Sequence, residues 1–277
     1  MRFKMTIAAA VAAAFVTAAA PTAMSQTAAP ASAEWRTIAP ENLLVIDTVH
    51  GRIVAELDPR VAPQSVERVR TLANRGFYDG LKFHRVIPGF MAQGGDPQGT
   101  GEGGSDLPDV PAEFTFRRGR ADPFLSTGPG ATGSSLLGLT GSMAVETQPD
   151  AQMLFCPGVL GMARNNNPNS ANSQFFIMTA PNDSLNGQYT PFGRVLSGLD
   201  AVKALKPGAG QGGAVTDPDL MTRVRLASAM PEGERPTARV QAVNSPAFAE
   251  QLAATRTRQG SRFNVCEIQP AAEVTGG

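Results

Sequence analysis

The chain has 277 residues, with 24 Lys plus Arg against 24 Asp plus Glu. That length suits one large domain or two small ones, and the balanced charge argues against a nucleic-acid or anionic-membrane partner. The 29 glycines and 22 prolines favour a loop-rich, β-heavy fold over a helical bundle.

The chain starts with a short positive region, Arg2 and Lys4, followed by an uncharged, Ala-dominated run over 6–20. Ala23-Met24-Ser25 then places small residues at −3 and −1 of a cleavage point, the pattern of a secretory signal peptide over 1–25. The alternative is an uncleaved anchor. It is the weaker reading, because the run is weakly hydrophobic and shorter than the ~20 residues a span needs. Residues 26–40, rich in Ala, Pro, Ser and Thr, are expected to form a flexible linker.

Two strand patterns, 43–49 and 51–57, flank His50-Gly51, where glycine suits a tight hairpin. Pro63 sits where a helix can begin. Val66, Val69, Leu72 and Ala73 recur at helical spacing, and Gly76 is placed to end the helix. Short strands are predicted over 82–87 and 90–94, bent at Pro88-Gly89. Residues 95–135, rich in Gly, Pro and Asp, read mostly as loop. Further strands are predicted over 159–163, 174–179, 191–196 and 222–228, with a short helix over 199–205. Many short strands, two helices and no βαβ rhythm indicate a mainly β fold, an antiparallel barrel or sandwich. Residues 230–277 are polar, contain one helix over 246–257, and read as an appended tail.

Export would permit a disulfide between the only cysteines, Cys156 and Cys266. Such a bridge would close a loop of about 110 residues, worth at most ~4–5 kcal/mol in the chain-entropy model. Two buried free thiols are the alternative.

Two G-x-G-x-x-G matches occur, at 99–104 and 128–133. The first runs into Ser-Asp-Leu-Pro-Asp and the second contains a proline, so neither opens a helix as a dinucleotide fingerprint must, and no nucleotide is expected. The only histidines, His50 and His84, lie in no metal-binding frame, and no metal or other cofactor is expected. His84 reads as a hydrogen-bonded structural histidine. No nucleophile elbow is present. The polar run over 164–173 feeds directly into Gln174-Phe175-Phe176-Ile177-Met178. That layout suits a loop whose backbone holds a peptide above a Phe-floored pocket; a plain surface loop is the alternative.

The segment FHRVIPGFMAQGGD (83–96) sets Arg85 among Phe83, Val86, Ile87, Phe90 and Met91 without a nucleophile beside it. Together with PGVLGMA (157–163), PNSANSQFFI (168–177) and FGRV (192–195), it resembles the cyclophilin-type peptidyl-prolyl cis-trans isomerases, and most closely their bacterial branch, which includes exported members. The likeness runs in order from about Leu43 to Ser228. It implies a closed eight-stranded antiparallel β-barrel capped by two α-helices, with the substrate groove on its outer wall.

Carried over by position, Arg85 would be the catalytic arginine. Phe90, Met91, Phe176 and Leu185 would line a proline pocket. Gln93, Ala163 and the backbone near Arg164 and Asn165 would hold the flanking peptide. Tyr189 falls where many members have His and bacterial members often have Tyr. The resemblance implies an isomerase domain over 41–229 that acts, without a cofactor, on proline-containing segments of unfolded or partly folded exported proteins. With the leader pattern it points to the periplasm of a Gram-negative-type bacterium after cleavage near Ser25; no nucleic-acid partner is expected, and the oligomeric state is left open, with a monomer favoured. The alternative is the same fold kept as a peptide-binding or chaperone module with little turnover.

Three departures from the family pattern stand out. Ser184 occupies a position where many members carry an aromatic that contacts cyclosporin, so weak cyclosporin inhibition is expected. The loop over 164–167 is one residue longer than usual. Residues 117–156 exceed the usual connection and read as an insertion, although TGPG (127–130) and SMA (142–144) echo family motifs.

Overall fold

The computed structural model describes residues 34–276, so the signal segment and most of the linker lie outside the described residues. The strands are β1 (Trp35–Thr37), β2 (Leu43–Thr48), β3 (Gly51–Leu57), β4 (Arg85–Ile87), β5 (Met91–Gly94), β6 (Leu125–Pro129), β7 (Leu136–Thr140), β8 (Met143–Thr147), β9 (Ala151–Met153), β10 (Val159–Met162), β11 (Phe175–Met178), β12 (Pro191–Ser197), β13 (Arg223–Leu226), β14 (Thr237–Gln241) and β15 (Ala272–Thr275). The helices are α1 (Pro63–Asn74), α2 (Leu199–Lys203) and α3 (Pro246–Gln259).

Eight strands form one antiparallel sheet in the order β13-β2-β3-β12-β10-β11-β5-β4. The hairpin expected around His50-Gly51 joins β2 to β3, and Gly51 supplies the positive φ of +121° that its turn needs. One face of the sheet buries Leu44, Ile46, Ile53, Ala55, Leu160 and Ile177 with Val66, Val69, Leu72 and Ala73 of α1 in a single core. At the sheet's two ends, the chain before β13 bonds to the chain around β4. Phe83 N–H donates to Asp219 O at 2.9 Å, Val86 N–H to Gly213 O at 2.8 Å and Met221 N–H to Leu81 O at 2.8 Å.

Helix α1 begins at Pro63, as the sequence suggests, but Ala62 offers no side-chain cap. Glu113 supplies one from the following loop. Its carboxylate accepts from Gln64 N–H, Ser65 N–H and Ser65 Oγ–H at 2.8–2.9 Å, satisfying first-turn donors and opposing the positive end of the helix dipole.

The stretch over 117–156 holds a four-stranded antiparallel sheet, β6-β7-β8-β9. Its first strand, Leu-Ser-Thr-Gly-Pro, falls in the stretch over 95–135 that reads mostly as loop, because its Gly and Pro carry turn signals while its pairing partner lies downstream. A third sheet, β1-β14-β15, joins the two ends of the described chain. Trp35–Thr37 thus forms a strand inside the stretch expected to be a flexible linker. The polar stretch after 230 also builds structure: Ala238 and Val240 of β14 pack on Leu43, Val45 and Val54, the opposite face of the main sheet. Helix α3 starts under a Ser245 cap whose Oγ accepts Phe248 N–H at 3.2 Å.

Cys156 and Cys266 form a disulfide with Cα atoms 5.1 Å apart, joining the end of the 117–156 stretch to the C-terminal segment. Arg194 of β12 makes a second tie there. Its buried guanidinium donates to Ser142 O and Pro270 O, and burial pushes its pKa down to about 10.

Candidate active site

Neighbouring strands β4, β5 and β11 set Arg85 opposite Gln93, and Gln93 opposite Phe176. Directly paired residues share a sheet face, so these three side chains form one row across the sheet. The next row is Ile87, Met91 and Met178. The alternate residues Val86, Ala92 and Ile177 point into the main core. The period of two thereby sorts FHRVIPGFMAQGGD into a face in the main core and an opposite face that carries Arg85 and Gln93 beside Met91, which is buried in a second apolar cluster.

Arg85 is half-buried and held at two points. Its Nε–H donates to Gly212 O at 2.8 Å and its Nη1–H to Gln93 Oε1 at 3.1 Å, with Met91 Sδ 4.0 Å from Nη1. Gln93 Nε2–H donates in turn to Gln174 Oε1 at 2.9 Å. Gln174 Nε2–H donates to Gly101 O at 2.9 Å and Gly103 O at 2.8 Å. Asp96 organises that loop by accepting the N–H groups of Gln98, Thr100 and Gly101 at 2.6–2.8 Å. Burial alone would raise the Asp96 pKa; the backbone donors of Gln98, Gly101, Gly103 and Thr100 hold it below the usual carboxylate range. The first G-x-G-x-x-G match is therefore a support for Gln174, and neither match opens a helix.

Phe176 forms the apolar floor and is only 5% exposed. Its ring stacks on Phe155 at 5.7 Å and meets Tyr189 edge-on at 5.7 Å. Gly161 makes the stack possible, since a Cβ there would lie 2.5 Å from Phe176 Cζ and 2.7 Å from Phe155 Cε1. Phe90, Met91, Ala163, Leu185 and Tyr189 pack into the same cluster.

Beside the row lies a cavity of about 490 Å³ bordered by Gln93, Ala163, Arg164, Asn165 and Gln174. Arg164 is engaged within the protein. Its guanidinium lies 4.6 Å over the Tyr189 ring and donates to Gln188 O at 3.0 Å and Asn165 O at 2.8 Å. Asn165 N–H donates to Ser170 Oγ at 3.0 Å. Ser184 is exposed on a 3-10 helix, Asp183–Leu185, where its N–H and Oγ–H both donate to Asn182 Oδ1, at 3.0 and 2.6 Å.

All ten residues singled out as catalytic or substrate-binding thus border this row, its apolar cluster or its cavity. Three that matter here were not singled out. Gln174 was legible as the polar residue heading the apolar strand. Phe155 and Gly212 carried no signal, the latter lying 127 residues from Arg85. His84 is buried as a structural residue; neither ring nitrogen makes a hydrogen bond of good geometry among the described residues, and the Lys82 backbone is the polar group that lies against it. Burial lowers its pKa. His50 Nε2 instead meets Asp219 Oδ2 at 2.9 Å.

A family model described as cyclophilin type peptidyl-prolyl cis-trans isomerase matches residues 43–227. A probable peptidyl-prolyl cis-trans isomerase of Brucella suis is 38% identical over 199 residues, covering 68% of this chain and 83% of that protein. A peptidyl-prolyl cis-trans isomerase-like 1 protein of Gibberella zeae is 37% identical over 162 residues, covering 58% and 80%. The crystal structure of cyclophilin AquaCyp293 from Hirschia baltica is similar at a TM-score of 0.77 and 34% identity, covering 88% of this chain and 94% of that one.

Proposed function

The chain belongs to the cyclophilin-type peptidyl-prolyl cis-trans isomerases, and from that premise we propose that Arg85 stabilises the twisted X-Pro amide in unfolded or partly folded exported proteins. An X-Pro bond must cross a barrier of ~18–20 kcal/mol because rotation destroys amide resonance. No bond is made or broken. In the twisted state the amide nitrogen regains its lone pair and accepts a hydrogen bond that the planar amide does not. A donor aimed at that nitrogen binds the transition state in preference to the ground state.

The observation that carries this reading is the Arg85–Gln93–Phe176 row. Arg85 uses Nε and Nη1 within the protein, leaving Nη2 without a partner among the described residues. A guanidinium stays charged at any working pH, so no general base is required. Phe176, Phe90, Met91 and Leu185 offer an apolar seat for the proline ring. Gln93, Ala163 and the adjoining cavity hold one side of the bond while the other turns.

We read the eight-stranded sheet as a barrel closed through residues 213–221, with the row on its outer wall. Export to a periplasm is supported by the leader pattern over 1–25 and by the Cys156–Cys266 disulfide, which suits an oxidising compartment. Among the described residues no helix is long and apolar enough to cross a membrane.

The test is an isomerase assay on an Ala-Pro tetrapeptide with mature wild type and Arg85→Ala. The variant is expected to lose about one to three orders of magnitude in kcat/KM while its circular dichroism is unchanged. A wild type inactive on this peptide would overturn the reading in favour of a peptide-binding module.

A further inference from the structure

We propose that the 117–156 stretch and the C-terminal segment form a second polypeptide-binding cleft, which takes an extended, apolar, non-acidic segment of the same client chain. This rests on the isomerase reading and extends it. A cavity of about 680 Å³ lies between β6, the 3-10 helix Asp183–Leu185 and residues 263–266. The short helix is a wall shared with the proline pocket. Leu185 packs into the Phe176 cluster, while Asp183 and Asn186 border the second cavity.

Two independent features of that cavity point to a polypeptide. Strand β6 is a sheet edge, paired only with β7 among the described residues, and its register shifts between Ser126 and Gly128. Unpaired edge backbone is the template on which an extended peptide adds as a further strand. At the shift sits Thr127, 5% exposed and bordering the cavity, whose Oγ has no hydrogen-bond partner among the described residues. Buried hydroxyls are ordinarily paired, and a strand laid along β6 would bring backbone groups to this one.

The lining sets the side-chain preference. Leu137, Leu154, Phe263 and Val265 supply apolar walls. The charged residues in the lining are Glu146 and Asp183, both acidic, and the cation beside it, Arg256, is engaged over the Phe263 ring at 5.1 Å. Burial would raise the Glu146 pKa, but the donors Ser135 Oγ–H, Ala131 N–H and Gln152 Nε2–H keep it below its ordinary value. Acidic side chains would be repelled and lysine or arginine favoured. A client held both here and at its proline gains affinity through the tether between the two contacts.

The experiment compares an Ala-Pro tetrapeptide with a substrate of about fourteen residues carrying the same Ala-Pro flanked on both sides by Val, Leu and Lys. In wild type the longer substrate is expected to show a KM lower by about five-fold or more. Phe263→Ala and the exposed-site variant Asp183→Lys should each bring that ratio close to one. Equal KM values in wild type, or a ratio retained in both variants, would overturn the cleft.

Fluorescence anisotropy with a labelled, proline-free peptide of alternating Val and Lys measures the cleft separately, and a Val-Glu peptide should bind at least about ten-fold more weakly. If wild type turns over neither substrate, the isomerase reading fails, and this binding measurement alone decides the cleft. Equal binding of the two peptides overturns it. So does binding that appears only after residues 26–33 are removed, which would assign the cavity to the chain's own N-terminal segment.

Discussion

Gln93 accepts from Arg85 Nη1 at 3.1 Å and donates to Gln174 Oε1 at 2.9 Å, so one side-chain amide links the guanidinium to the loop organised by Asp96. Gln174 passes the constraint on by donating to Gly101 O and Gly103 O. The orientation of Arg85 is thus set from two sides, by this chain and by Gly212 O.

Gln174→Ala is expected to lower kcat/KM on an Ala-Pro tetrapeptide by about ten-fold, less than Arg85→Ala, because the donor is loosened and not removed. Gln174→Glu sets a carboxylate oxygen against the Gly101 and Gly103 carbonyls in place of a donor, and should be at least as impaired as the alanine variant. Steady-state kinetics on the three proteins checks the order.

Arg85→Lys keeps the charge but loses the planar fork that engages Gly212, Gln93 and a third direction together. Activity should drop by at least about ten-fold despite the conserved charge. Near-wild-type turnover would show that charge alone suffices.

Acid stability should show two limbs. His84 is buried with its pKa lowered, so folding favours its neutral form, and stability falls as pH drops below the ordinary value of 6.5. Asp96, held below its ordinary value of 3.8 by backbone donors that outweigh its burial, contributes stability that is present above that value and lost as pH falls through its lower folded pKa. Denaturant midpoints measured from pH 8 to pH 3 should show the upper limb flattened in His84→Gln. Asp96→Asn should be less stable by about 2 kcal/mol at pH 7 and lose part of the lower limb.

Ser184 is exposed, and its hydroxyl is tied to Asn182 Oδ1 at 2.6 Å, so it presents no ring to a ligand in the groove. Cyclosporin should inhibit the wild type weakly, and Ser184→Trp should tighten inhibition by at least about ten-fold through added aromatic contact. Nanomolar inhibition of the wild type in an isomerase assay would refute the first half.

Loss of the Cys156–Cys266 bond, by Cys266→Ser or by a reductant, is expected to lower stability by up to ~4–5 kcal/mol on the chain-entropy model. Denaturant titration with and without reductant measures it. Two alkylatable thiols in the unreduced mature protein would show that the bond does not form.

Local pattern was sufficient for much of this protein. The β2–β3 hairpin, α1, α3 and most strands of the main sheet follow from periodicity and turn residues read within a few positions. The long motif around Arg85 was specific enough to indicate the family and to nominate most of the candidate site. What it could not carry was any relationship between segments far apart in the chain. Trp35–Thr37 has too few residues and too little pattern to announce a strand, and becomes β1 only by pairing with β14. Strand β6 hides behind its Gly and Pro until β7 supplies a ladder. The cap of α1 comes from Glu113, the second anchor of Arg85 from Gly212, and the ring beneath Phe176 from Phe155. A residue's local preferences depend on its immediate neighbours, whereas these pairings depend on which distant backbone groups and side chains burial brings together. Only the folded chain decides that.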